Sequence, residues 1–118
     1  MIYRRKTYFV HTSIAEEFND HFNKTLLPAQ IRYGARLVGR WQVKKDRDTF
    51  EIFAIWEYDS LTIYKTIENK VKSDKEHVER VQNWYKRMGG RENLKKVFFS
   101  IDQDFMESTV LREKTILH

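Results

Sequence analysis

Thr49-Phe50-Glu51-Ile52-Phe53-Ala54-Ile55-Trp56-Glu57-Tyr58 decides how this chain folds. Its aromatic and β-branched residues favour a strand. Successive side chains point to opposite faces, so Phe50, Ile52, Ala54, Trp56 and Tyr58 share one side. Phe53 and Ile55 take the other, between Glu51 and Glu57. A strand with one wet face alternates cleanly between apolar and polar, and this one does not. Both of its faces are therefore expected to be covered.

Immediately upstream, Arg36 to Lys44 reads as a strand with Leu37, Gly39, Trp41 and Val43 on one face and Val38, Arg40 and Gln42 on the other. The charged turn Lys45-Asp46-Arg47-Asp48 joins the two strands into an antiparallel hairpin. Further upstream, Ile2 to Val10 is a first strand: Tyr3, Thr7 and Phe9 alternate with Ile2, Tyr8 and Val10, while Arg4, Arg5 and Lys6 interrupt both faces. Thr12 or Ser13 then caps a helix with Glu16 and Glu17 in its first turn. Ile14, Phe18, Phe22 and Leu26 make one apolar stripe. Pro28 bends or restarts this helix, and Gly34 stops it.

Downstream, Asp59 and Ser60 cap a helix whose stripe is Leu61, Tyr64, Ile67 or Glu68, and Val71. After Ser73-Asp74 a second helical piece carries Val78, Val81, Tyr85 and Met88 on one face, with Trp84 beside them. Gly89-Gly90 ends it, and Leu94 to Ile101 reads as a last strand, again apolar on both faces. The order strand, helix, strand, strand, helix pair, strand is the α+β, ferredoxin-like βαββαβ arrangement. It is a four-stranded antiparallel sheet with its helices on one face.

Such helices dry only one face. Leaving about four large apolar residues of the other in water would forfeit roughly 1.5–3 kcal/mol each. That total rivals the whole stability of a small domain. A second copy of the sheet, packed face to face about a two-fold axis, removes the deficit. The expectation is a homodimer built as a dimeric α/β barrel. Residues 1–103 form the domain and 104–118 a C-terminal extension, whose Met106, Val110 and Leu111 suit packing on the partner subunit.

Three segments resemble the NIPSNAP family. They are Ile2-Tyr3-Arg4-Arg5-Lys6-Thr7-Tyr8, Tyr33-Gly34-Ala35-Arg36-Leu37-Val38-Gly39-Arg40-Trp41, and Ala54-Ile55-Trp56-Glu57-Tyr58-Asp59-Ser60 followed by Tyr64. The resemblance spans roughly residues 1–101 in order and spacing. It implies the same ferredoxin-like, dimeric α/β-barrel fold. Animal members are associated with mitochondria and vesicle trafficking, so the resemblance speaks to fold and dimerisation more than to chemistry. It carries over no catalytic residues.

The 118 residues are enough for one domain with its own core. With no cysteine, disulfides and thiolate metal sites are excluded. The basic start Met1 to Lys6 has no apolar signal core behind it, and no apolar run approaches the roughly 20 residues of a membrane span. A cytoplasmic protein is expected. Basic residues outnumber acidic ones by five, 22 against 17. A dispersed, solvated basic surface is the plain reading, and an anionic ligand the sharper one.

Among candidate site residues, Arg36, Arg40 and Glu57 are the charges best placed within the sheet. Arg40 and Glu57 are expected on one face with Val38 and with Phe53 or Ile55. A cross-strand ion pair is the favoured arrangement, and a carboxylate or phosphate clamp the alternative. Trp41, Phe53, Trp56 and Tyr58 line a ligand cavity or, more conservatively, form core. His11, His21, His77 and His118 lack metal-ligand spacing, so no metal and no cofactor is assigned. His21 and His77 belong at the surface unless they face a pocket. Nucleic acid is disfavoured: Glu51 sits among the strand aromatics, where a phosphate chain would be repelled. The resulting reading is binding of a small apolar or anionic molecule, or service as an interaction module. The alternative is a cofactor-independent monooxygenase or haem-degrading enzyme of the same barrel class, with His21, His77 and Trp56 as first catalytic candidates.

Overall fold

A computed structural model of the chain describes residues 1–111. Its strands are β1 (Ile2–His11), β2 (Arg36–Lys44), β3 (Thr49–Tyr58) and β4 (Phe98–Met106). They form one sheet in the order β2-β3-β1-β4, antiparallel at every pairing. The first crossover comprises a 3₁₀ turn (Thr12–Ile14), α1 (Ala15–His21), a π-helical segment (Phe22–Leu26) and α2 (Leu27–Arg32). The second comprises α3 (Leu61–Ser73), α4 (Lys75–Arg87) and α5 (Gly90–Val97). This is the ferredoxin-like fold. His118 and the rest of the expected extension beyond Leu111 lie outside the described residues.

Local chemistry accounts for the element ends. The Ser60 hydroxyl accepts from the Ile63 amide at 3.1 Å and starts α3. The Asp74 carboxylate does the same for His77 at 3.1 Å and starts α4. On the covered face of β3, Ile52, Ala54, Trp56 and Tyr58 are buried beneath the helices. Two clusters form there. Val10, Ile14, Phe18, Ile52, Trp84 and Leu94 make one, and Phe22, Ala35, Ala54, Trp56, Tyr58, Ile67 and Val71 the other. Among the described residues, no helix lies over the opposite sheet face. Trp41, Val43 and Phe99 stand there 47 %, 44 % and 49 % exposed, with Phe53 and Ile55 half-buried between them.

Two features depart from expectation. The first is in β2, where Leu37 lies opposite Trp56 but Gly39 lies opposite Ile55, leaving Val38 as an extra, bulged residue. A bulge shifts the alternation by one, so Leu37, Arg40 and Gln42 face the helices and Trp41 and Val43 the open side. Gly39 is needed here because a β-carbon would collide with the Trp41 ring lying back over it.

The second is at the last strand, which begins at Phe98 rather than Leu94 and runs to Met106, past the expected boundary at residue 103. Gly89 and Gly90 hold φ of +92° and +80° and turn the chain. After them Arg91, Leu94, Lys95 and Phe98 recur at i, i+3 and i+4, a helical spacing that outweighs the short apolar run.

The turn is testable. An alanine β-carbon at Gly90 meets no heavy atom within 4 Å, so Gly90→Ala isolates backbone strain and should destabilise by about 1–2 kcal/mol in urea unfolding. Gly89→Ala adds crowding against Asn93 and should cost more. Unchanged stability in Gly90→Ala would show that the turn does not hold positive φ.

Candidate ligand-binding cavity

Between the helix layer and the covered sheet face lies a cavity of about 650 Å³. Its aromatic wall is built by α1 and its π-helical continuation. Phe18 sits edge-on to Tyr8 and Phe98, with ring centroids 4.9 and 5.0 Å away, and Phe22 lies 6.1 Å from the buried Trp56. Pro28 explains the π segment. Proline lacks an amide hydrogen and crowds the carbonyl four residues earlier, so the ladder widens and the Leu27 amide donates to the Phe22 carbonyl. The helix passes through a wide turn and restarts instead of breaking.

Arg40 enters this wall because of the β2 bulge. Its guanidinium carbon lies 4.2 Å over the Phe22 ring and 5.1 Å over Phe18. Nη1 donates to Asn19 Oδ1 at 2.6 Å, while Nη2 is buried with no partner. No carboxylate among the described residues forms an ion pair with it. Burial pushes its pKa down to about 10, which leaves it a cation at neutral pH. Arg4, only 4 % exposed, is more deeply buried than the half-buried Arg40, and it has an acid: Nη2 is 3.7 Å from Glu68 Oε1. Its carbon lies 5.1 Å over Tyr64 and 5.9 Å over Tyr58, and burial pushes the Tyr58 hydroxyl up to about 12.

His21 and His77 reach the cavity from α1 and α4. His21 is buried and stacks on Trp84 at 4.2 Å, within 6° of parallel. Burial, aided by Arg87 and His77 and opposed by Asp20, lowers its pKa to about 4. It is a neutral ring at physiological pH. Burial also lowers the pKa of His77, against the pull of Asp74.

The cavity thus gathers Arg40, Trp56, His21 and His77 from the sequence candidates. It does not gather Arg36, Trp41, Phe53 or Glu57, which stand on the open face. The expected Arg40–Glu57 pair is absent. Arg36 Nε instead meets Glu57 Oε1 at 2.7 Å, because the bulge turns Arg40 away. Trp41 packs on Phe53, with centroids 5.5 Å apart. Tyr58 is on the covered face, under Arg4. Sequence reasoning missed Arg4, Lys6, Glu68 and the α5 residues Arg91 and Lys95. Arg4 and Lys6 did carry a signal, as cations on the apolar face of β1.

The sequence model of the NIPSNAP family matches residues 3–95. The chain belongs to the NIPSNAP family. A NIPSNAP-like domain protein from Burkholderia xenovorans superposes with a TM-score of 0.70 at 17 % identity, over 93 % of this chain and 86 % of that one. A NIPSNAP family protein of unknown function from Agrobacterium tumefaciens gives 0.68 at 16 %, over 92 % and 87 %. A Bacillus cereus protein with the antibiotic biosynthesis monooxygenase fold gives 0.54 at 12 %, over 94 % and 95 %. At such identities these likenesses speak to fold. No curated protein matches the chain.

The state of His21 has a measurable consequence. Its folded pKa, about 4, lies below the ordinary 6.5, so the unfolded chain binds more protons between those values. Its contribution to stability is complete above about pH 6.5 and lost as pH falls to about 4. His21→Phe, which keeps the stack on Trp84, should flatten that part of the stability–pH curve. An NMR titration midpoint for His21 near 6.5 would contradict the buried, neutral ring.

Proposed function

We propose that this NIPSNAP-family chain binds a small organic anion with an apolar body in the helix–sheet cavity, as a homodimer joined through its open sheet faces. One observation carries the ligand reading: the Arg40 guanidinium sits in an aromatic wall with a buried, unpartnered Nη2 and no acid of its own. Burying a cation costs several kcal/mol unless an anion answers it. A bound carboxylate supplies that anion and the missing hydrogen bond. Phe18, Phe22 and Trp56 would hold the apolar remainder.

The dimer reading rests on the uncovered apolar side of the sheet, where Trp41, Val43, Phe53 and Ile55 gather on β2 and β3 and Phe99 stands on β4. Most charges on that side are paired, Asp102 opposite Thr7 being the exception among the described residues. Arg5 meets Asp104 at 3.0 Å and Arg36 meets Glu57, so little charge stands in the way of a second sheet.

The oxygen-dependent enzyme reading draws on Trp56, His21 and His77 sharing the cavity. Oxygen consumption with quinol or haem substrates, lost in Trp56→Phe or His77→Ala, would carry it.

Octanoate, titrated by tryptophan fluorescence or calorimetry, should bind the wild type. Arg40→Met should weaken it at least about tenfold, a charge-assisted hydrogen bond being worth about 1.5–3 kcal/mol. The same variant should be no less stable than wild type without ligand, since it removes an unanswered buried charge. A strong loss of stability with unchanged octanoate affinity would make Arg40 a structural residue and sink the reading. For the dimer, sedimentation at micromolar concentration should give twice the chain mass, and Ile55→Glu should give monomers. A monomeric wild type would end that part of the proposal.

A further inference from the structure

We infer that the cavity's ligand carries two anionic groups separated by an apolar spacer, one answered by Arg40 and the other by Lys6, Arg91 and Lys95. The inference rests on the ligand reading above and narrows it.

Charge is the first argument. Arg4, Lys6, Arg40, Arg91 and Lys95 line the cavity against a single carboxylate, Glu68, so five cations less one anion leave +4 with both histidines neutral. The whole chain carries only +5, from 22 basic and 17 acidic residues. The cavity wall therefore concentrates a charge that the sequence pattern suggests is dispersed. Glu68 is already taken: it is 3.7 Å from Arg4 Nη2 and accepts from Gln30 Nε2 at 3.2 Å. None of Lys6, Arg40, Arg91 and Lys95 forms an ion pair among the described residues. Arg91 and Lys95 are exposed and Lys6 is half-buried, so a monoanion at Arg40 would leave the positive field of these three to water alone.

Register is the second argument. Ala54 of β3 pairs with Arg40 on one side and with Lys6 on the other. Both cations therefore occupy one row across the sheet, two strand spacings or about 10 Å apart at the backbone. Both face the helices, and the residue between them is the smallest side chain on that face of β3. Trp56, the next residue on that face of β3, lines the cavity and offers a spacer its apolar surface. The helix α5 adds Arg91 and Lys95 to the cavity lining, at helical spacing with Leu94. Arg40 and Lys6 thus stand apart on the sheet wall of the cavity, and Arg91 and Lys95 add two cations from its helix wall. That pattern suits an α,ω-dicarboxylate or an apolar carboxylate with a second anionic group at its far end.

Octanoate and octanedioate have the same chain length and differ by one terminal carboxylate. Measured side by side at low ionic strength, octanedioate should bind about tenfold more tightly, with a steeper loss of affinity on adding salt. In the double variant Arg91→Gln/Lys95→Gln the ratio of the two affinities should fall toward one. If the far end of the cavity is merely apolar, the second carboxylate is desolvated without an answer and octanedioate binds more weakly than octanoate. That result, or equal binding, overturns the two-anion inference and leaves a monoanion site at Arg40. If neither probe binds the wild type, or Arg40→Met binds both as the wild type does, the ligand reading itself fails.

Discussion

A guanidinium without an acid, held inside the helix–sheet interior, is the constraint around which this molecule is arranged. Stacking over Phe18 and Phe22 returns about 0.5–2 kcal/mol, and the Asn19 bond adds a comparable amount. Partial desolvation of this half-buried cation opposes those gains. The free protein therefore keeps an electrostatic deficit at this point, which the rest of the core has to carry. The two apolar clusters beneath the helices do so, one of them including Ala54 between Arg40 and Lys6.

The aromatic wall and the cation depend on one another through backbone irregularities in two different elements. Pro28 forces the π segment that begins at Phe22, and the bulge at Val38 swings Arg40 beneath it. Asn19, one turn before the π segment, closes the contact by accepting from Arg40 and donating to Gln42, two neighbours along β2. Removing either irregularity moves one partner and leaves the other behind. The stacked pair His21 and Trp84 closes the next part of the wall with a ring kept neutral, adding polarity without more positive charge.

Much of the fold was legible because it rests on period and capping. The doubly apolar β3, the charged hairpin turn, the Ser60 cap, the helix start after Ser73-Asp74 and the stripe Ile14-Phe18-Phe22 all read correctly from local chemistry. The site was half legible. Trp56 faces the cavity because central β3 is regular, so counting by twos holds along its length. Arg40 was found as a residue but given the wrong face and the wrong partner, because one bulged residue inverts every assignment after it. Nothing in Arg36-Leu37-Val38-Gly39-Arg40 marks Val38 as the extra residue. Only Gly39 hints at an irregularity. The α5 cations escaped because a helix of eight residues after a glycine pair offers barely two turns of pattern against the strand-like run that follows it.

Where the irregularities fall also explains how the sheet serves two purposes at once. Both register shifts change the count on an edge strand: β2 at Val38, and β4 at Phe99. The central strands β1 and β3 stay regular against each other along their full length. An edge strand has one neighbour and gives up fewer ladder bonds to an extra residue, so that is where side chains are re-aimed at least cost. Without the bulge in β2, Arg40 would stand opposite Phe53 on the open apolar face, and Trp41 would take its place beneath the helices. The cavity would then lose Arg40, and the surface that most needs covering would gain a charge to desolvate. One extra residue at Val38 thus separates an electrostatic interior from an apolar exterior, while the strand that organises the fold keeps both of its faces.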